Sequence, residues 1–523
     1  RGLGDVYKRQ AMHTIVPRTC ENYTMLNNTL LLDDSTTHMN QTPDSPSAFG
    51  NNKAIDAIRN AYKNRTIRII MLTALIAVPH LIAYIAMFPG FIQADHQSLI
   101  AHIAVGTPTQ WHSLLWGYLA YPLLYLSPSY GIYGLAQTAI FVICAVYAII
   151  ELNDMALLSH RASIVLAAIF AFCPTYLLYN QLYASDIVFA YVLIPLTIHL
   201  IKITVTKGAI LSSTRFDISL LILLFVTFSL RKNALLVPLI LFPVLLLAYR
   251  KHWRRLLVCC VIFVASAVAI STFWTNIIKA TPSPSQEMLS VPAQQIARTY
   301  ATGGEVPDDV NEDLSKIRTP QQWAESYLEY NADPEKMNLS LTPTFVYDWA
   351  TLGLHNPRTY VDAYAGLMHP FWQLNGSVQS LGIDIDFEEH PDFTNTTCKK
   401  ECDPHYTAQI EAAYSPNKER AAHFQETMLN LRIPVISDAL ILFFFNRAIP
   451  LYVFAIGLVY SIRKGRGKDF LIATIPLICV LLSLLCFAPV ASFRYAFQAF
   501  GMLPVIVFFM RSFKKAKPFT KDR

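Results

Sequence analysis

The sequence predicts an all-α polytopic membrane protein of about ten transmembrane helices, with a mainly helical or irregular extracytoplasmic domain inserted before the last three. Three observations carry that prediction. Of 523 residues, 53% are hydrophobic and only 15% charged, whereas soluble proteins carry about 25% charge. The apolar residues gather into runs near the length of a bilayer span. The charge is also divided: residues 276–434 hold about 22 acidic and about 11 basic side chains, near −11 net, against about +17 on everything else. These numbers exclude a collagen, a disordered polyampholyte, a disulfide-stapled secreted module and an ordinary cytosolic enzyme. They also exclude a chain that is membrane throughout.

The predicted spans are 69–88, 131–150, 162–182, 187–203, 218–230, 234–248, 256–274, 449–462, 470–488 and 497–510. A backbone in hydrocarbon must satisfy its own hydrogen bonds, so each is expected to be a helix. Basic clusters at 63–68, 202–215, 250–255 and 463–468, with Arg511, Lys514, Lys515 and Lys517, fall on one side if both termini are cytoplasmic. That pattern asks for an even number of spans and places the chain in the cytoplasmic (inner) membrane.

Five segments follow. Residues 1–66, rich in Asn, Thr, Ser and Asp, read as a disordered cytoplasmic extension. Its first ten (RGLGDVYKRQ) resemble translated sequencing-adaptor sequence and are set aside. Residues 67–275 form an N-terminal membrane module, 276–438 the acidic extracytoplasmic domain, 439–511 a C-terminal membrane module and 512–523 a basic cytoplasmic tail. No cleavable signal is visible, so the first span is expected to do the targeting. Cys144, Cys173, Cys259, Cys260, Cys479 and Cys486 lie in spans, where a thiol acts as a small hydrophobe. Cys398 and Cys402 fall in the exported domain and read as a disulfide. Zinc, with His390 and His405, is the rival, but the spacing matches no finger pattern.

Polar residues in apolar surroundings carry the chemistry, because each is costly unless it lines a polar cavity. Pro89-Gly90 ends the first span, and Asp95-His96 follows. The stretch after His112, 114–126, is apolar but interrupted by Gly117 and Pro122, and is expected to lie in the outer interface. A second carboxylate, Asp186, precedes the fourth span. The pair could deprotonate an acceptor hydroxyl and hold a substrate or a divalent cation; alternatively both acids cap their helices. Arg231-Lys232 and Arg494 reach the same outer side, against the positive-inside trend. A lipid phosphate is their natural partner, with headgroup snorkelling as the alternative.

The string MFPGFIQADHQ resembles the first outer loop of GT-C-type membrane glycosyltransferases. SLRKNALLVPL and FRYAFQ are similar to their Arg-containing turn and Arg-Tyr motif. SVPAQQIARTY (290–300) and YNADPEKMN (330–338) resemble one uncharacterised bacterial group of GT-C-like integral membrane proteins, over about residues 65–512. Two departures stand out. Ser185 occupies the position before the second acid where relatives usually have Lys, and a His-Pro pair appears here as His112-Ser113. The resemblance implies transfer of a sugar from a polyprenyl-phosphate donor to an envelope polymer, lipid or protein, with Asp95 as general base. Asp186 would orient the acceptor or a cation, and Arg231, Lys232 and Arg494 would stabilise the leaving lipid phosphate. His96 and His112 would sit at the substrate, and Gln294, Gln295 and Arg298 would line the site from the exported domain; the alternative is a helix packed on the membrane body. No nucleotide-sugar site, nucleic-acid partner or cofactor is implied beyond the candidate cation. Two other classes stay open: a transporter or flippase of lipid-linked glycans, and a non-catalytic envelope-assembly protein.

Overall fold

The computed structural model describes residues 64–127, 131–374 and 443–513. It is mostly helical, and the only paired strands among the described residues are two dipeptides. Five helical segments are long and apolar enough to cross a membrane: Arg65–Met87, Ile132–Asp154, Ser185–Val205, Arg250–Ile277 and Phe493–Ser512. A pair bent by 64°, Gly467–Ala473 and Ile475–Phe487, makes a sixth if counted as one span. Such a set is compatible with a multi-pass membrane protein. The side chains agree: Ile70, Val78, Ile82 and Ile85 of the first helix are exposed, as are Val258, Val261, Val264 and Val268 further on. In water these would be uncovered apolar stripes; in lipid they are the solvated face.

In chain order, α1 (Arg65–Met87) leads to β1 (Phe91–Ile92), α2 (Ala94–Val105), α3 (Leu114–Ala120) and α4 (Ile132–Asp154). Then come α5 (His160–Phe172), α6 (Pro174–Tyr179), β2 (Leu182–Tyr183), α7 (Ser185–Val205), α8 (Thr214–Leu230), α9 (Leu236–Ala248) and α10 (Trp253–Thr272). All of α7 except Lys202 and Val205 is buried, making it the hub on which α4, α8 and the late helices pack.

Two runs read as single spans are broken, and the stretch expected in the interface is not a span. The predicted 162–182 divides at Cys173-Pro174, because proline has no N–H to donate and holds the preceding residue extended. The run 470–488 bends at Thr474, just before Pro476. The seven residues of α3, continued by a short 3-10 turn (Tyr121–Tyr125), are too few to cross a bilayer.

Ion pairs define one end of the bundle. Arg65 and Arg68 meet Asp154 at 3.2 and 3.1 Å, Lys202 meets Glu151 at 2.8 Å, and Arg255 meets Asp217 at 2.7 Å. Phe263 of α10 touches both Phe228 and Phe242. With Arg255 beside Asp217, those contacts make α8 and α9 two helices of opposite direction, as the separate runs 218–230 and 234–248 predict. The other end carries β1, β2 and the loop around Arg231.

After α10 comes an inserted helical domain: α11 (Ser290–Ala301), α12 (Asp308–Ile317), α13 (Pro320–Ser326), α14 (Asp333–Lys336), α15 (Pro343–His355) and α16 (Pro357–Met368). It has its own core around Trp323, Ile296, Leu314 and Leu352. The domain docks on the second end of the bundle. The Ala332 N–H donates to Pro489 O at 2.7 Å, and Tyr364 Oη donates to Leu485 O at 3.1 Å. On the other flank, Gln110 N–H donates to Thr281 O and Thr281 N–H to Pro108 O. The chain closes with α17 (Ile449–Arg463), α18 (Gly467–Ala473), α19 (Ile475–Phe487), α20 (Phe493–Phe500) and α21 (Leu503–Ser512). Residues 1–63 of the predicted extension and the Cys398–Cys402 pair lie outside the described residues, while 64–66 cap and begin α1.

Two predictions arise from this packing. A Cβ on Gly501 would sit 2.6 Å from the Ala190 carbonyl oxygen of α7, a backbone atom that cannot step aside. Gly501→Val is therefore expected to cost about 1–3 kcal/mol, seen as a lower thermal midpoint in detergent. In the inserted domain, Glu335 is fully buried; its Oε1 accepts the Leu328 N–H at 2.7 Å, while Oε2 has no partner among the described residues. Burial pushes its carboxyl up to about 8. The folded domain then holds a proton that the unfolded chain releases at an ordinary carboxylate pKa. Its contribution to stability is full at acid pH and falls as pH rises toward 8. Glu335→Gln should flatten that fall, read as protection factors of residues 327–339, taken against the intrinsic exchange rate at each pH, that decline less between pH 5 and 8 than the parent's.

Candidate functional site

The two predicted acids are brought together by the smallest sheet a protein can have. β1 and β2 pair in parallel, Phe91 with Leu182 and Ile92 with Tyr183. A helix starts two residues after each strand, so Asp95 and Asp186 fall at matching positions in the first turns of α2 and α7. The pairing is held from both sides. Gln137 of α4 donates to the Asn180 and Leu182 carbonyls, and Tyr183 Oη donates to Pro89 O. Gly90, with φ +82°, is required here: it tolerates positive φ, and its absent Cβ leaves the space filled by the Tyr183 ring. Neither acid is the N-cap itself; those positions are Gln93 and Ala184.

Asp186 is only 7% exposed at its side chain and lies between two guanidinium groups. Arg231 Nη1 bonds its Oδ1, and Arg494 Nε stands 3.9 Å from its Oδ2. Both Arg side chains also flank the Tyr495 ring, 5.4 and 4.8 Å from its centroid. The two cations are thus held near each other by one buried carboxylate and one aromatic face. Asp186 so placed does not fit the cation-holding role that its sequence position suggested, because both oxygens already face positive charge. No group of three or more His, Cys, Asp or Glu side chains is arranged for a metal among the described residues.

Asp95 differs. Its side chain is 42% exposed, and both of its side-chain partners, Gln93 Nε2 at 3.0 Å and Arg494 Nη1 at 3.2 Å, meet Oδ2. Oδ1 takes no hydrogen bond among the described residues. Burial works to raise its pKa, but the Arg494 guanidinium, then His112, His96 and the Gln93 amide, together hold it well below the usual carboxylate range.

His96 is buried and fixes this carboxylate indirectly. The Ser185 backbone N–H, which can only donate, points at His96 Nε2 at 2.8 Å, so Nε2 is the acceptor and Nδ1 carries the proton. Nδ1–H then donates to Gln93 Oε1 at 3.0 Å, and the Gln93 amide in turn donates to Asp95. Burial, reinforced by His112, pushes the His96 pKa down, which keeps the ring neutral in that role. His112 stacks on the exposed Trp111 and lies 5.7 Å from the His96 ring, while Trp116 closes the far side of His96. Ser113 donates to Ser229 O, close to Arg231 along the chain. Lys232 is exposed and makes no ion pair among the described residues.

The structure therefore gathers Asp95, His96, His112, Asp186, Arg231 and Arg494 around the second end of the bundle, with Lys232 next in chain to Arg231. It does not bring Gln294, Gln295 or Arg298 to them. Gln294 donates to Leu328 O and Glu329 O, Gln295 accepts from Trp349 Nε1 and donates to Tyr360 O, and Arg298 meets Tyr327 Oη. Their polar ends complete the inserted domain's own core. Sequence reasoning in turn missed Gln93, Ser185 and Tyr495 as parts of the site. The signal for each was adjacency to a residue already singled out.

No curated protein and no solved structure matches the chain. One family does match, over residues 123–518, a stretch that includes Asp186, Arg231, Lys232 and Arg494 and begins after Asp95. The chain belongs to that family, DUF6020, a family of unknown function.

Proposed function

We propose that the chain is an integral membrane glycosyltransferase of the GT-C type, moving a sugar from a polyprenyl-phosphate donor to a hydroxyl of a cell-envelope acceptor. In this reading the bundle crosses the inner membrane ten times. The broken and shorter apolar helices complete the count, the ion-paired basic end and both termini are cytoplasmic, and the inserted domain is outside. The acceptor is an envelope polymer, lipid or protein.

The observation that carries the proposal is the contrast between two acids in one register: Asp186 sealed between guanidinium groups, Asp95 open at Oδ1. Asp95 takes the acceptor's hydroxyl proton as that oxygen bonds to the anomeric carbon. The sugar–phosphate C–O bond breaks, and its electron pair leaves on the lipid phosphate, which Arg494 and Lys232 neutralise. A carboxylate held so acidic is a weak base toward a free alcohol. It suffices here because the alcohol becomes strongly acidic only as its oxygen joins an oxocarbenium-like carbon. Asp186 is a positioning residue that keeps Arg231 and Arg494 aimed.

The test reconstitutes the purified chain in proteoliposomes with a panel of polyprenyl-phosphate sugars and a solubilised cell-envelope fraction as the source of acceptor hydroxyls, and measures free polyprenyl phosphate. Release by the parent protein and not by Asp95→Asn supports the proposal. Undiminished release by a folded Asp95→Asn, or passage of the intact lipid-linked sugar between leaflets without release, overturns it. The second of these outcomes is the signature of a flippase.

A further inference from the structure

We propose a second site, at the opposite end of the bundle from Asp95, that binds one anionic phospholipid of the cytoplasmic leaflet. It is a groove of about 490 Å³ between α7 and α8, with Tyr147 of α4 at its side. The polarity along it is that of an amphiphile. From α7, Pro195, His199 and Lys202 follow at spacings of four and three, one helical face running toward the basic end. From α8, Arg215 stands at that same end, and Ile222 and Leu223 lie deeper along the helix. Cations therefore sit at the mouth, and apolar side chains line the interior half.

The charges decide what belongs at the mouth. Lys202 is answered by Glu151 at 2.8 Å, but Arg215 is exposed and meets no acid within ion-pair distance among the described residues. One net positive charge remains. His199 is not a ligand: Pro195 O and Ser219 Oγ lie 2.9 Å from its two ring nitrogens, which makes it a fixed wall joining α7 to α8. A free anion would satisfy Arg215 and leave the apolar half empty, while a neutral lipid would fill the apolar half and leave the cation unmatched. A lipid with a net negative phosphate headgroup and an acyl chain along Ile222 and Leu223 meets both conditions. The site does not depend on the transfer chemistry, but its leaflet rests on the orientation proposed above.

The probe is phosphatidylglycerol, counted by native mass spectrometry on the purified full chain in neutral detergent, against phosphatidylcholine and inorganic phosphate. The parent protein should retain phosphatidylglycerol in preference to phosphatidylcholine, with no competition from millimolar phosphate. Arg215→Gln, an exposed position whose change leaves the core untouched, should weaken retention about 5-fold. Leu223→Trp, which fills the groove, should weaken it too. Lys251→Gln, equally exposed at the same end but outside the groove, should leave it unchanged. Equal losses for Lys251→Gln and Arg215→Gln, equal retention of the two lipids, or displacement by inorganic phosphate would each overturn the proposal.

Discussion

If Asp95 is the proposed general base, Asp95→Asn should lower the rate of sugar transfer by about 10²–10⁴-fold, the usual contribution of such a group, while leaving the fold in place. The separation of the two effects follows from the site. The Asp95 side chain is 42% exposed, so the amide meets water rather than a buried void. Arg494 keeps its second carboxylate, Asp186, at 3.9 Å, so it is not left alone with its charge. Thermal midpoints of the two proteins should agree within a few degrees, and transfer assays should not. Because the Arg494 guanidinium holds Asp95 well below the usual carboxylate range, the parent's rate should show no acid-side decline between pH 5 and 7. A decline through that window would place the titrating base elsewhere.

Asp186→Asn should do the reverse in emphasis. Its carboxylate is buried between Arg231 and Arg494, and removing one member of a buried ionic cluster costs about 3–5 kcal/mol, because Arg231 remains without its counter-charge while Arg494 keeps only Asp95. The expected result is a large drop in thermal midpoint, with activity lost through instability and through misaimed guanidinium groups. The diagnostic variant is the double change Asp186→Asn with Arg231→Gln, which removes the orphaned cation as well. It should recover part of the stability without recovering transfer. If Asp186→Asn were as stable as the parent, the cluster would not hold that end of the bundle together.

Much of this was legible in the chain. The apolar runs located the helices because in lipid the backbone leaves little choice, and Arg65, Lys202 and Arg255 marked one end because each sits at the foot of such a run. Asp95, Asp186, Arg231 and Arg494 stood out because charge in apolar surroundings needs a reason. What was not legible is pairing over distance. Arg231 lies 45 residues from Asp186, and Arg494 lies 399 from Asp95. No local pattern tells that both guanidinium groups converge on one acid and leave the other open. Gln294 and Gln295 illustrate the opposite error. Their motif was specific, but specificity of sequence does not separate a site from a domain core, and the carbonyls of Leu328 and Tyr360 claimed them. The kinks at Pro174 and Pro476 were readable in principle, since hydropathy alone averages over the one residue that cannot donate.

The bond between Arg494 and Asp95 has a consequence in time. A ribosome adds roughly 5–20 residues per second. The loop that carries Asp95 is therefore made on the order of 20–80 s before the helix that carries Arg494. During that interval Asp186 can already meet Arg231, so half of the cluster assembles early and half waits. Only when the segment that begins with α20 is made does the loop receive its cation, joining two stretches about 400 residues apart. A chain that stops short of that helix would carry an acid without its lock, and would be marked as unfinished by its own chemistry.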